Sequence, residues 1–151
     1  MLPFKKILCP TDFSEPGCAG VKAAAEIASR FGAELILMHV VGPIPALDTP
    51  AGKGTFDVAA NQREQTSSAE AFLEQREAEV PEDVPVKSIV SHGDAAHEIL
   101  RVAKEEGIDL IVMATHGATG WVHKVFGTVT EKVIRHAHCS VLTAFAEPPA
   151  D

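Results

Sequence analysis

The sequence predicts an α/β fold: a single-domain, doubly wound, five-stranded parallel sheet of order 3-2-1-4-5 with helices on both faces, Rossmann-like in its winding. Three observations predict it. Short and almost wholly apolar runs, residues 34–40 (ELILMHV) and 109–115 (DLIVMAT), have the character of strands buried on both faces. Between the strand runs lie longer stretches in which apolar residues recur at helical spacing. The two patterns alternate along the chain, as strand–helix–strand units with right-handed crossovers require.

The elements follow in order. Residues 5–9 (KKILC) form the first strand, which Pro10 stops. Ser14 caps a helix over residues 15–31, where Val21, Ala24, Ala28 and Phe31 recur at helical intervals and Gly32 ends the run. Residues 34–40 are the second strand. Residues 42–55 hold Pro43, Pro45, Pro50, Gly52 and Gly54, a loop long enough to carry function. A polar-rich helix covers residues 56–80, with Ala69, Phe72, Leu73, Arg76 and Val80 marking its better-packed half. Pro81 and Pro85 bracket the turn into the third strand, residues 86–91. Asp94 caps a third helix with Ala96, Ile99, Leu100 and Ala103 inward, and Gly107 closes it. Residues 109–115 are the fourth strand, 116–126 a glycine-containing loop, 127–136 the fourth helix and 140–145 the last strand. Residues 1–146 read as one domain, and 147–151, with two prolines, as a tail.

A chain of 151 residues buries enough surface to need no disulfide or metal staple. Cys9, Cys18 and Cys139 are odd in number and lack CxxC spacing, so they read as reduced packing residues. No run of about 18 apolar residues is present to span a membrane. The opening MLPFKKILCPTDFSE lacks the apolar stretch and cleavage site of a secretory leader, so the expected location is cytoplasmic. A net charge of −8 argues against a nucleic-acid partner. It leaves a nucleotide ligand open, because backbone N–H groups at a helix start can hold a phosphate without a cationic surface.

Several features invite a sharper reading and do not support it. Residues 51–55 (AGKGT) look like a phosphate-binding loop, but that pattern needs glycine at Leu47 and a hydroxyl residue at Gly54. His92, His97, His116, His123, His136 and His138 show no metal-binding spacing. Trp121 reads as loop packing. No serine, cysteine or threonine has an evident base partner, so no nucleophile stands out.

In an open doubly wound sheet the ligand sits at the carboxyl ends of the strands where the winding reverses. The strand order puts two segments there: Pro10-Thr11-Asp12, and Ala114-Thr115-His116-Gly117. After Gly117 come nine residues and then Gly127-Thr128, where a helix restarts. Gly127, Thr128, Val129 and Thr130 present N–H groups at the positive end of the helix dipole, together with two hydroxyls. That arrangement is an anion cradle. The plainer reading is a helix start with Thr128 as its cap.

These residues resemble the ATP-binding branch of the universal stress protein family, whose fold is adenine nucleotide alpha hydrolase-like. The resemblance covers Lys5 to about Phe145. It is carried by Ile7-Leu8-Cys9-Pro10-Thr11-Asp12-Phe13-Ser14, by Met38-His39-Val40, by Gly93-Asp94, and by Met113 through Gly117 with Gly127 through Val133. The resemblance implies that Asp12 accepts hydrogen bonds from ribose hydroxyls and that Pro10 and Val40 line the adenine pocket. It further implies that Gly117, Gly127, Thr128, Val129 and Thr130 hold the phosphates, with Mg2+ bridging them. Ala114 stands where the family motif has its first glycine. A requirement there for positive φ, or for close ligand contact, would make the added methyl costly.

The function so implied is a dimeric, nucleotide-responsive regulatory module of the stress response that binds ATP and is not an enzyme, with slow hydrolysis at most. The rivals are a scaffold of the same fold without nucleotide and a slow ATP hydrolase. A homodimer is expected through the strand running from Ser140 to Phe145. Its Val141-Leu142-Thr143-Ala144-Phe145 carries no charge, proline or glycine, the devices that normally block a sheet edge. A second copy across a two-fold axis would occupy that edge. The alternative occupant is the proline-containing tail.

Overall fold

The structure, a computed structural model, describes residues 2–43, 57–115 and 126–145. The elements are β1 (Lys6–Pro10), α1 (Glu15–Phe31), β2 (Glu34–Val41), α2 (Val58–Ala78), β3 (Val86–His92), α3 (Ala95–Glu105), β4 (Leu110–Ala114), α4 (Thr128–His136) and β5 (Ser140–Ala144). All five strands are parallel in the order β3-β2-β1-β4-β5, as expected. Boundaries shift by a residue or two. Pro10 lies inside β1, opposite Met38, and does not stop the strand. The N–H that Pro10 lacks would face β4, whose pairing with β1 ends at Leu8 with Ile111, so the ladder to β2 continues with Thr11 donating to the Met38 carbonyl at 2.8 Å. The long helix starts at Val58 because Asp57 accepts the Ala60 N–H at 3.0 Å, a cap the hydropathy pattern does not reveal.

Strand pleating sorts the apolar side chains onto two faces. Ile7, Cys9, Leu35, Leu37, Leu110 and Val112 point toward α1 and α2, where they meet Val21, Ala24, Ala28 and Leu73. Leu8, Ile36, Met38, Ile111 and Met113 point the other way, toward Ile99, Val102 and Ala103 of α3 and Val133 of α4. Each fully buried Leu or Ile in these layers contributes roughly 1.5–3 kcal/mol of transfer free energy. The face assignment follows from the winding: two crossovers run one way from β1, then the chain crosses back and runs the other way. The reversal lies between β1 and β4, which pair in parallel through Ile7 with Leu110 and Leu8 with Ile111.

Helix ends are set locally. Ser14 caps α1 by accepting the Gly17 N–H at 3.2 Å, and Gly32 closes it in the left-handed conformation at φ 64°. Asp94 caps α3 by accepting the His97 N–H at 3.0 Å. The start of α4 differs. Gly127 takes the cap position and no side chain caps it, so Thr128 is the first helical residue and not the cap. Among the described residues no helix is long and apolar enough to cross a membrane.

Candidate functional site

Two short segments meet at the reversal point. The first is the turn from β1 into α1. Thr11 is buried and fully used: its N–H goes to Met38, its carbonyl accepts from His39 Nδ1 at 2.8 Å, and its hydroxyl accepts the Phe13 N–H at 3.1 Å. Asp12 Oδ1 accepts the Ser14 N–H at 3.1 Å and the Ser14 hydroxyl as well. Ser14 in turn accepts from Gly17, so one relay links the Asp12 carboxylate to the first turn of α1. The Asp12 residue itself is solvent-exposed, at the carboxyl end of the central strand.

Phe13 is the one non-glycine residue with positive φ among the described residues, at 65°. That conformation costs a non-glycine residue about 1–2 kcal/mol. Ring contacts offset it. Phe13 stacks on His39 with centroids 4.4 Å apart and on Phe72 of α2 at 5.0 Å, each contact worth about 0.5–1.5 kcal/mol. Beneath the turn, Gly17 is required for space: a Cβ there would stand 2.9 Å from both Asp12 Oδ1 and Thr11 Oγ1. One turn further on, a Cβ at Gly20 would come within 3.2 Å of the Ala114 backbone nitrogen. Two glycines therefore let α1 lie against the ends of both central strands.

The second segment joins β4 to α4. Ala114 closes β4 opposite Ala144, and Thr115 extends the pairing by donating its N–H to the Ala144 carbonyl at 3.1 Å. Gly127 donates its N–H to the Thr115 carbonyl at 2.8 Å, and the buried Thr130 hydroxyl donates to the Ala114 carbonyl at 3.1 Å. The start of α4 is thereby fixed to the end of β4. The first intrahelical bond is Glu131 N–H to Gly127 carbonyl, so the N–H groups of Thr128, Val129 and Thr130 precede the helical ladder. They lie at the positive end of the dipole, with Thr128 and Val129 exposed. Glu131, the acid of this turn, is paired with Arg135 at 2.9 Å.

Pro10 and Asp12 thus lie at the end of β1, half-buried Val40 near the end of β2, and Ala114, Gly127, Thr128, Val129 and Thr130 where β4 gives way to α4. Ala114 does not have positive φ. Its methyl carries no backbone strain, which answers the conformational part of the expectation raised for it. Gly117, with His116, Trp121, His123 and Lys53, lies outside the described residues. Sequence reading quoted Phe13 and His39 within the resemblance but gave them no role, and it missed Gly17 and Gly20. The legible signal was two glycines in the first half of a helix, where each costs about 1 kcal/mol relative to alanine.

The thiols take no part. Cys9 is fully buried, and burial pushes its pKa up to about 12. Burial also raises that of Cys139, with a smaller contribution from Asp109. Among the described residues no group of three or more His, Cys, Asp or Glu side chains could hold a metal ion.

An acid-bearing turn and an uncapped helix start at the switch point of a five-stranded parallel sheet are the parts of a doubly wound ligand-site protein. A family model, described as the Universal stress protein family, matches residues 3–144, and the chain belongs to that family. It is 34% identical to universal stress protein MJ0531 of Methanocaldococcus jannaschii, over 92% of this chain and 81% of that protein. The solved structure of the hypothetical protein MJ0577 superposes with a TM-score of 0.83 at 30% identity, covering 96% of this chain and 98% of that one. Universal stress protein UspA from Lactobacillus plantarum superposes equally well, with a TM-score of 0.83 at 29% identity over 95% of this chain and 99% of the other.

Proposed function

We propose that this protein binds ATP, with Mg2+ bridging the phosphates, and works as a cytoplasmic, homodimeric regulatory module whose state follows nucleotide occupancy. The observation that carries the reading is the start of α4. Its leading N–H groups carry no side-chain cap, yet the turn is held to β4 by the Gly127 and Thr130 bonds. Preorganised donors at a helix start favour an anion such as a phosphate. Asp12, at the neighbouring strand end, would accept from the ribose hydroxyls, while Pro10 and Val40 would line the base pocket.

Two more distant proteins of the same fold were solved with adenine nucleotides. A universal stress protein solved with cAMP is 19% identical, and one from Archaeoglobus fulgidus solved with dAMP is 17% identical. At such distances the likeness shows the fold, so the proposal rests on the residues. Thr128 and Thr130 offer hydroxyls beside the phosphates, and of these Thr130 is already engaged with Ala114.

The module is proposed to be a binder and not an enzyme: the Ser14 hydroxyl bonded to the Asp12 carboxylate also caps α1, and so serves the turn. Steady-state ATP turnover should fall well below the ordinary enzyme range of about 1–10³ s⁻¹. Isothermal titration with ATP and Mg2+ tests the central claim and should give saturable binding near one nucleotide per chain. No heat and no thermal shift up to millimolar ATP would remove the nucleotide reading and favour a nucleotide-free scaffold.

A further inference from the structure

We propose that His39 is a positioning residue: by holding the Thr11 carbonyl and the Phe13 ring, it sets the Asp12 carboxylate for ribose recognition. The proposal rests on the nucleotide reading above and deepens it. Asp12 has two chain neighbours, and His39 touches both. A carbonyl oxygen can only accept, so the 2.8 Å contact to Thr11 requires the proton on His39 Nδ1. The same ring lies against Phe13 at 4.4 Å with 28° between planes. Phe72 of α2 also stacks on the Phe13 ring, at 5.0 Å and 27°.

This arrangement specifies a backbone that Phe13 would otherwise leave. Its φ of 65° places the chain in the left-handed region, immediately between Asp12 and its hydrogen-bonded partner Ser14. Residues held in such regions persist only where their surroundings over-determine them, and they concentrate at ligand sites. The surroundings here are the His39 ring, the Phe72 ring and the Thr11 hydroxyl. His39 itself belongs to the face of β2 opposite Val40, because successive strand residues alternate. It acts on the ligand through the turn, without contact.

That indirect role has its own readout, the ratio of affinities for ATP and for 2′,3′-dideoxy-ATP, which lacks the hydroxyls Asp12 would bind. Both are titrated with Mg2+ against the full-length protein. The wild type should prefer ATP. His39→Phe keeps a ring on Phe13 and removes the Nδ1–H donor, so ATP affinity should fall about tenfold with little change for the dideoxy ligand. His39→Asn, whose amide can still donate to Thr11, should recover part of the preference. Phe72→Ala gives a second arm that leaves the buried layers intact, because Phe72 is 46% exposed; it should narrow the ratio in the same direction. Equal losses for both ligands, or none for either, would overturn the positioning role while leaving nucleotide binding in place. A wild type that binds neither ligand would instead overturn the nucleotide reading.

Discussion

Gly127, at the start of α4, donates its N–H to the carbonyl of Thr115, at the end of β4, at 2.8 Å. The bond fixes where the helix begins and so where its leading donors point. It also leaves Gly127 extended, at φ −69° and ψ 163°, a conformation open to every residue type.

Gly127→Val should therefore fold normally. Its branched side chain would stand at the approach to the Thr128–Thr130 donors. We expect ATP affinity to fall roughly tenfold to a hundredfold, the loss that follows from weakening one charge-assisted hydrogen bond or more. Titration together with circular dichroism checks this. Wild-type affinity in a folded variant would mean that the phosphates bind elsewhere.

Gly17→Ala sets two effects against each other. Alanine favours the helix by up to about 1 kcal/mol. The new Cβ, however, meets the Asp12 and Thr11 oxygens at 2.9 Å, and such overpacking costs typically 1–3 kcal/mol. Overpacking should win by about 1 kcal/mol, lowering the melting temperature by about 2–4 °C. A more stable variant would show that the turn has room to spare.

Acid should weaken the α3 surface through one carboxylate. Glu98 accepts from Arg101 at 2.8 Å and from the Ser91 hydroxyl, and these contacts, Arg101 foremost, hold its pKa down at about 2 against an ordinary 4.5. A depressed folded pKa gives stability that is complete above the unfolded value, about 4.5, and is lost as pH falls toward 2. Because the Arg101 side chain is 41% exposed, solvent screening cuts the contribution to about 1 kcal/mol. Denaturant unfolding of the wild type and of Glu98→Gln, at pH 7 and at about pH 3, measures it. The variant should be weaker at the higher pH, and the gap should narrow to under half at the lower. Parallel pH profiles would rule out Glu98 as the source.

The free edge of the sheet yields the fourth test. Among the described residues β5 pairs with β4 alone, and Leu142 and Phe145 are 38% and 67% exposed. On α4, Ile134 is exposed too. Two copies joined through this edge would cover these side chains. Sedimentation at tens of micromolar should show a wild-type dimer, and Leu142→Lys should shift it to monomer. A monomeric wild type, with or without ATP, would leave the edge to another occupant.

Much of the fold was legible because the two kinds of evidence agreed. Residues 34–40 and 109–115 are apolar on both faces only because helices cover both faces, and Ser14, Gly32, Asp94 and Gly107 sit where helix ends demand them. The strand order followed from chirality once the elements were placed. The details of the turn were not legible. That Phe13 adopts a left-handed backbone, or that His39 reaches Thr11, depends on contacts between residues far apart in sequence, and phenylalanine is a poor prior for positive φ. Pro10 misled for a local reason. Proline usually ends a strand, but the donor that Pro10 lacks would face β4, where pairing with β1 has already ended at Leu8.

Cys9 sits in the central strand, wholly buried, with its thiol pKa pushed up to about 12. An alkylating reagent attacks thiolate and must first reach it, so this sulfur is silent while the sheet is closed. Cys18 and Cys139 are partly accessible and lie outside the sheet centre. The chain thus carries its own clock for global opening. The rate at which Cys9 is capped reads the population of the opened molecule directly, and any ligand that binds only the closed form slows that clock by the factor its binding stabilises.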